Sequence, residues 1–170
     1  MSNHDHSSLA AARPDFAAIA AWIPQGASVL DLGCGDGSLL RYLMDTRKVC
    51  GYGVEISDSN IVTCIQNGVN VIQGNLESGL SGFESNAFDF VILSQTLQAM
   101  RHTEALMQEI VRVGREGIVS FPNFGYCKTA WIYCAATCRC RKTCPTNGMT
   151  HRMCTCARCM ILKISVARNM

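Results

Sequence analysis

Between Ser28 and Gly37 the chain reads Ser-Val-Leu-Asp-Leu-Gly-Cys-Gly-Asp-Gly, and no other stretch constrains the fold as strongly. A short run of strand formers passes straight into Gly33, Gly35 and Gly37, after which Leu39, Leu40 and Leu43 open a helical pattern. Strand, glycine loop and helix in that order make the nucleotide-binding form of an α/β unit. The glycines allow torsions and close approaches that a Cβ forbids, and the helix start points free N–H groups at the ligand. The spacing is G-x-G-x-G, not the dinucleotide G-x-G-x-x-G. Asp31 and Asp36 suit a cationic ligand and repel phosphates.

The remaining elements follow the same alternation. Phe16, Ile19, Ala20 and Ile23 recur at helical spacing behind Pro14 and Asp15, and Pro24-Gln25-Gly26 ends that helix. Cys50 to Ile56 reads as the second strand and ends at Glu55, about 20 residues after the glycine loop. There a carboxylate can accept bonds from both ribose hydroxyls of a nucleoside. Ser57 is placed to cap a helix over Asp58 to Gln66, stopped by Asn67-Gly68. Val69 to Gln73, Phe88 to Ser94 and Gly117 to Phe121 read as the third, fourth and fifth strands. Leu106, Ile110 and Val113 form one face of the helix between the last two. Strands alternating with helices dictate a mostly parallel sheet, whose ligands lie at the strands' carboxyl ends, here near Ser94 and Gln95. Cys34 sits where a thiolate is favoured, but it has no histidine partner and reads as a small loop filler. His102 reads as an ordinary surface histidine, with a general base as the less favoured alternative.

Asp31-x-Gly33-x-Gly35-x-Gly37 resembles the first motif of the class I S-adenosylmethionine (SAM)-dependent methyltransferases. The resemblance implies a Rossmann-like three-layer sandwich with seven strands, the last two antiparallel, and SAM or S-adenosylhomocysteine (SAH) as ligand. It implies ligand contacts from Asp31, Gly33, Cys34, Gly35, Gly37, Glu55, Leu76, Ser94 and Gln95. Asn75 stands where the superfamily places an Asp for the adenine amino group. No Asn-Pro-Pro-Tyr follows the fourth strand, so methylation of base amino groups is not supported. Gly51-Tyr-Gly-Val-Glu55, Gly68-Val-Asn-Val-Ile-Gln73, Leu93-Ser-Gln-Thr-Leu-Gln-Ala99 and Val113 through Gly125 narrow the likeness. Together with the glycine loop they resemble the bacterial methionine biosynthesis protein MetW family, over residues 13–126. That likeness implies work alongside the homoserine O-acyltransferase MetX, without implying that anything is methylated. Two other readings are a methyltransferase acting on a small molecule and a zinc-binding adaptor.

Composition divides at Tyr126. Up to that residue 13 acids face 7 Lys and Arg, whereas residues 127–170 hold 8 basic residues and no acid. Eight of the 11 cysteines also lie there. The family's Glu-Trp-Tyr-Asp-Thr-Pro-Asn segment is missing, yet the codons for Asn147 to Met153, read one base earlier, permit those seven residues in order. Losing one G from TAC-TGG-CAA-AAC likewise converts Tyr-Trp-Gln-Asn into Tyr126-Cys127-Lys128-Thr129. The expectation is therefore a one-base deletion just after Tyr126 and an out-of-frame, poorly ordered tail, leaving the sheet without its last two strands. The rival is a zinc site from Cys138, Cys140, His151, Cys154, Cys156 and Cys159, although only Cys156 and Cys159 have C-x-x-C spacing. Residues 1–12 read as a flexible arm. No run of about 18 apolar residues occurs, and the start lacks an apolar signal core, so neither a membrane nor a secretory route is expected. The expected place is the cytoplasm. The basic tail, being out of frame, implies no nucleic-acid partner.

Overall fold

The structure is a computed structural model of the chain. It describes residues 13–97, 100–122, 149–155 and 159–166. Seven strands form one sheet: β1 (Ser28–Leu32), β2 (Cys50–Glu55), β3 (Val71–Gln73), β4 (Phe88–Ser94), β5 (Gly114–Pro122), β6 (Met149–Thr155) and β7 (Cys159–Val166). Their order across the sheet is β3-β2-β1-β4-β5-β7-β6. The first five are parallel, β7 pairs antiparallel with β5, and β6 antiparallel with β7. Among the described residues four helices accompany them: α1 (Pro14–Trp22), α2 (Ser38–Arg47), α3 (Asp58–Gln66) and α4 (Thr103–Val113).

Alternation along the central strands sends side chains to two cores. Val29, Phe90, Ile92 and Ile118 pack with Phe16 and Ile19 of α1, Leu39, Leu40 and Leu43 of α2, and Cys64 of α3. Leu30, Leu32, Val91, Leu93 and Val119 pack on the other face against Leu106, Ile110 and Val113 of α4. Both faces are covered, so the strands read as continuous apolar runs. The chain runs outward from β1 to β3, then returns to place β4 on the other side of β1. Ligands bind at such a reversal, outside the carboxyl ends of the strands.

The expectation of a sheet missing its last two strands is overturned. Met149–Thr155 and Cys159–Val166 are paired with each other, and β7 lies against β5 from Glu116 to Pro122. Ile161 and Ile164 point to opposite faces of the sheet and are both buried, Ile161 with the α1–α2 core and Ile164 with the α4 core. Lys163 Nζ also reaches Glu116 Oε2 at 2.6 Å on β5. An alternating apolar strand satisfies an open sheet edge whatever the composition around it. Three smaller readings also change. β3 starts at Val71, because Val69 and Asn70 lead in as a loop, with the Val69 N–H donating to Cys64 O at 2.9 Å. β5 begins at Gly114, directly after α4, since a Cβ there would stand 2.6 Å from Val91 Cγ2. Ser57 occupies the cap position of α3, but its hydroxyl pairs with Ser59 Oγ at 2.9 Å and does not cap the helix.

Candidate functional site

The glycine loop leaves β1 at Gly33, whose N–H donates to Val54 O at 2.8 Å, so the loop lies across the end of β2. Gly33, Gly35 and Gly37 all have positive φ, at 69°, 57° and 77°. Gly33 is crowded, since a Cβ there would stand 2.7 Å from Thr96 Cγ2. A Cβ on Gly35 would meet nothing within 4 Å. The outer loop backbone thus borders open space while its neighbours are wedged against protein.

Glu55 holds this loop from below. Its Oε2 accepts the Gly35 N–H at 2.8 Å, and Oε1 accepts the N–H groups of Ile56 at 2.9 Å and Ser57 at 3.0 Å. A carboxylate has roughly four acceptor positions, so these three bonds leave one over. Asp31 lies beside it on β1, only 1% exposed, and its Oδ1 has no hydrogen-bond partner among the described residues. Burial first, and the charge of Glu55 second, push Asp31 up to about 7. A buried carboxylate oxygen without a donor is costly, and a cation or N–H group placed there would relieve it.

Cys34 does not become a thiolate. Burial, then Asp31, Cys64 and Glu55, raise its pKa far above the ordinary thiol range, and burial likewise raises that of Cys64. Their sulfurs lie 3.7 Å apart, and Cys64 Sγ donates to Gly35 O at 3.1 Å. The two thiols fill the space under the loop, as the filler reading expects. Asn75 Oδ1 accepts the Glu77 N–H at 3.0 Å and caps the short 3₁₀ turn Leu76–Ser78, while the Leu76 side chain enters the α4 core. Ser94 turns toward β5, where its hydroxyl pairs with that of Ser120 at 3.0 Å. Gln95 has positive φ (56°), and its N–H donates to Ser120 O at 2.9 Å.

The structure therefore brings Asp31, the three glycines and Glu55 together at the β1–β2 ends, with Gln95 at the β4 end and Asn75 after β3. Ser94, Leu76 and Cys34 face inward. His102 is exposed before α4 and lines a cleft with Leu76, Glu77, Met100 and Glu109. Among the described residues no three His, Cys, Asp or Glu gather as a metal site. Cys138, Cys140 and Cys156 lie outside the described residues, as does the 1–12 arm. No described helix is long and apolar enough to cross a membrane.

Three neighbours of these residues had no specific role assigned from the sequence. Ile56 directly follows Glu55 and is 60% exposed, an apolar platform beside the carboxylate. Its position after the strand-ending acid was a usable signal. Thr96 packs on Gly33 and donates to Ser94 O at 2.9 Å. Asp15, on α1, accepts from Gln95 Nε2 at 3.1 Å across 80 residues of sequence, a contact that no local pattern announces.

Known proteins sharpen this picture. The fold is similar to that of a SAM-dependent methyltransferase from Aquifex aeolicus, with TM-score 0.67, 14% identity, and coverage of 98% of this chain and 100% of that one. It is also similar to a TehB-like SAM-dependent methyltransferase from Corynebacterium glutamicum, with TM-score 0.64, 16% identity and coverage of 97% and 100%. A third, a SAM-dependent methyltransferase from Thiobacillus denitrificans solved with S-adenosyl-L-homocysteine, gives TM-score 0.55 and 17% identity over 64% of this chain and 48% of that one. At those identities the likeness establishes the Rossmann-like methyltransferase fold. In sequence the chain is 44% identical over 112 residues to the bifunctional methionine biosynthesis protein MetXA/MetW of Rhodopirellula baltica, covering 61% of this chain. It spans 18% of that relative's length. The model of one family matches residues 13–162, running past Tyr126 through β6 and into β7. By that match the chain belongs to the methionine biosynthesis protein MetW family.

Proposed function

We propose that the cleft over the ends of β3, β2, β1 and β4 binds SAM or SAH, and that the chain supports homoserine O-acylation together with the acyltransferase MetX. The observation that carries the ligand reading is the partnerless Asp31 carboxylate oxygen beside a glycine loop that is open at Gly35. In this reading Glu55 accepts a ribose hydroxyl, and Ile56 lies against the adenine. Asn75 and the backbone at Leu76 meet the adenine edge. Asp31 faces the ammonium and sulfonium charges. Bound SAM supplies an electrophilic methyl group. The residues of this chain bind and orient it, and Asp31 exchanges a proton for the ligand's positive charge.

Two observations favour a binding and partner role over methyl transfer. Among the described residues the nearby thiols are held protonated. The fused MetXA/MetW relative supports a MetX partner. Such a role belongs in the cytoplasm. We propose too that residues 127–170 carry a shifted frame after Tyr126, whose strand-compatible residues still fill the sheet edge. Resequencing the codons for Gly125 to Thr129 tests this, and an unaltered genomic frame refutes it. The functional experiment mixes the full chain with a homoserine O-acyltransferase and SAM, following acyl transfer and SAH formation together. A changed acylation rate without SAH supports the partner reading. Steady SAH formation in the presence of a small acceptor supports the methyltransferase reading instead.

A further inference from the structure

We infer that Asp15 is a positioning residue for the ligand loop, acting through Gln95. The inference rests on the ligand reading above and names a part of the site that neither the glycine motif nor the fold supplies. Asp15 is 4% exposed in the first turn of α1. Arg13 grips it with two bonds, Nε to Oδ1 at 3.2 Å and Nη2 to Oδ2 at 3.1 Å, and stacks over Phe16 at 4.2 Å from the ring centroid. The Gln95 side chain donates to the same Oδ2. Gln95 holds a left-handed backbone conformation that is uncommon outside glycine and persists where surroundings enforce it. Two bonds enforce it here: the N–H to Ser120 O and the carboxamide to Asp15.

The left-handed residue turns the chain so that Thr96 lies on Gly33, with its hydroxyl bonded to Ser94 O. The path therefore runs from Arg13 and Asp15 to Gln95, then Thr96, then the start of the glycine loop. Strand order sets what this path governs. Glu55 stands at the β2 end, Asp31 and Gly33 at the β1 end, and Gln95 and Thr96 at the β4 end. Two strand spacings separate β2 from β4, about 10 Å. With ribose at Glu55, that distance brings the amino-acid arm of SAH, and not its adenosine, to Gln95 and Thr96. The latch thus sets affinity for the arm.

Calorimetric titration of SAH and of adenosine into the full chain tests this, with wild type beside Asp15→Ala, Gln95→Asn and the double variant. Asn tolerates the left-handed region but is one methylene too short to reach Asp15. Each single variant is expected to weaken SAH about tenfold, the worth of a hydrogen bond to a charged group, and adenosine less than about twofold. The double variant is expected to be no weaker than either single one, because both break one link. Asp15→Asn, whose carbonyl still accepts from Gln95, is expected to stay within about threefold of wild type. Equal losses for SAH and adenosine, or additive losses in the double variant, overturn the latch. If wild type binds neither compound, the ligand reading fails by itself. Hydrogen exchange at the Gln95 amide then judges the latch, faster exchange in Asp15→Ala supporting it and unchanged exchange refuting it.

Discussion

The β2–β1–β4 ends and the β5–β7–β6 edge belong to one sheet but are held by different means. At the first, charged groups and backbone N–H groups are fixed by named bonds, Glu55 to Gly35 and Asp15 to Gln95, while at the opposite, amino ends of β1 and β4 Ser28 donates to Asp89 at 3.0 Å. That last contact, through the Ser28 N–H and then its hydroxyl, holds Asp89 below the usual carboxylate range. Among the described residues, Asp31 at the carboxyl end of β1 is left with a buried oxygen unpaired. At the second, strand register and the burial of Ile161 and Ile164 are joined by one ion pair, Lys163 to Glu116. The contrast separates two demands on sequence. A ligand site needs particular residues at particular torsions, whereas an edge strand needs apolar alternation and an exposed partner. A segment unlike the rest in charge and cysteine content can therefore complete the sheet, though it could not replace the glycine loop.

The edge is most sensitive at Ile161, which is fully buried in the core shared with α1 and α2. Ile161→Ala is expected to cost about 2–5 kcal/mol in denaturant unfolding, while SAH affinity in the folded protein stays within about twofold. If stability does not change, β7 is a passenger and the edge is not part of the fold's support.

Asp31 sharpens the other side. Its native pKa is raised from 3.8 to about 7, so the folded protein retains a proton that the unfolded chain releases. Stability attributable to this group is complete below pH 4 and declines as pH rises through about 7, by a few kcal/mol in all. Asp31→Asn is expected to flatten that decline and melt higher than wild type at pH 8, while weakening SAH. SAH affinity in wild type is expected to rise across pH 7, as its ammonium stabilises the charged carboxylate. A wild-type melting curve insensitive to pH between 5 and 8 contradicts this.

The smallest effect is expected at Lys163. Its pairing with Glu116 is partly exposed, so Lys163→Met should change stability by less than about 1 kcal/mol in either direction. A larger loss would mean that charge, and not burial, holds the edge.

Legibility in the sequence follows the same division. β4 runs from Phe88 to Ser94 as read, and Leu106, Ile110 and Val113 are the buried face of α4, because periodicity encodes burial directly. Asp31, Glu55 and the glycines were legible because backbone torsion and a strand-end carboxylate leave a local mark. The Asp15–Gln95 contact was not, since it depends on how α1 packs over the β4 end. β6 and β7 were missed for the opposite reason: the break in composition at Tyr126 outweighed the short alternating runs at 149–155 and 159–166. Cys34 was legible as a loop filler because no histidine stood near it in sequence, whereas the burial beside two acids that keeps its thiol protonated was not legible.

The proposed nucleoside and amino-acid site rests on Asp31, the glycine loop and Glu55. Calorimetric titration of SAH into the full chain, beside Glu55→Leu, tests it most directly. One saturable site is expected in wild type and at least a tenfold weaker one in the variant, the loss of a charged hydrogen bond. Saturable binding that Glu55→Leu leaves unchanged, or no binding by a folded wild-type protein, would contradict it.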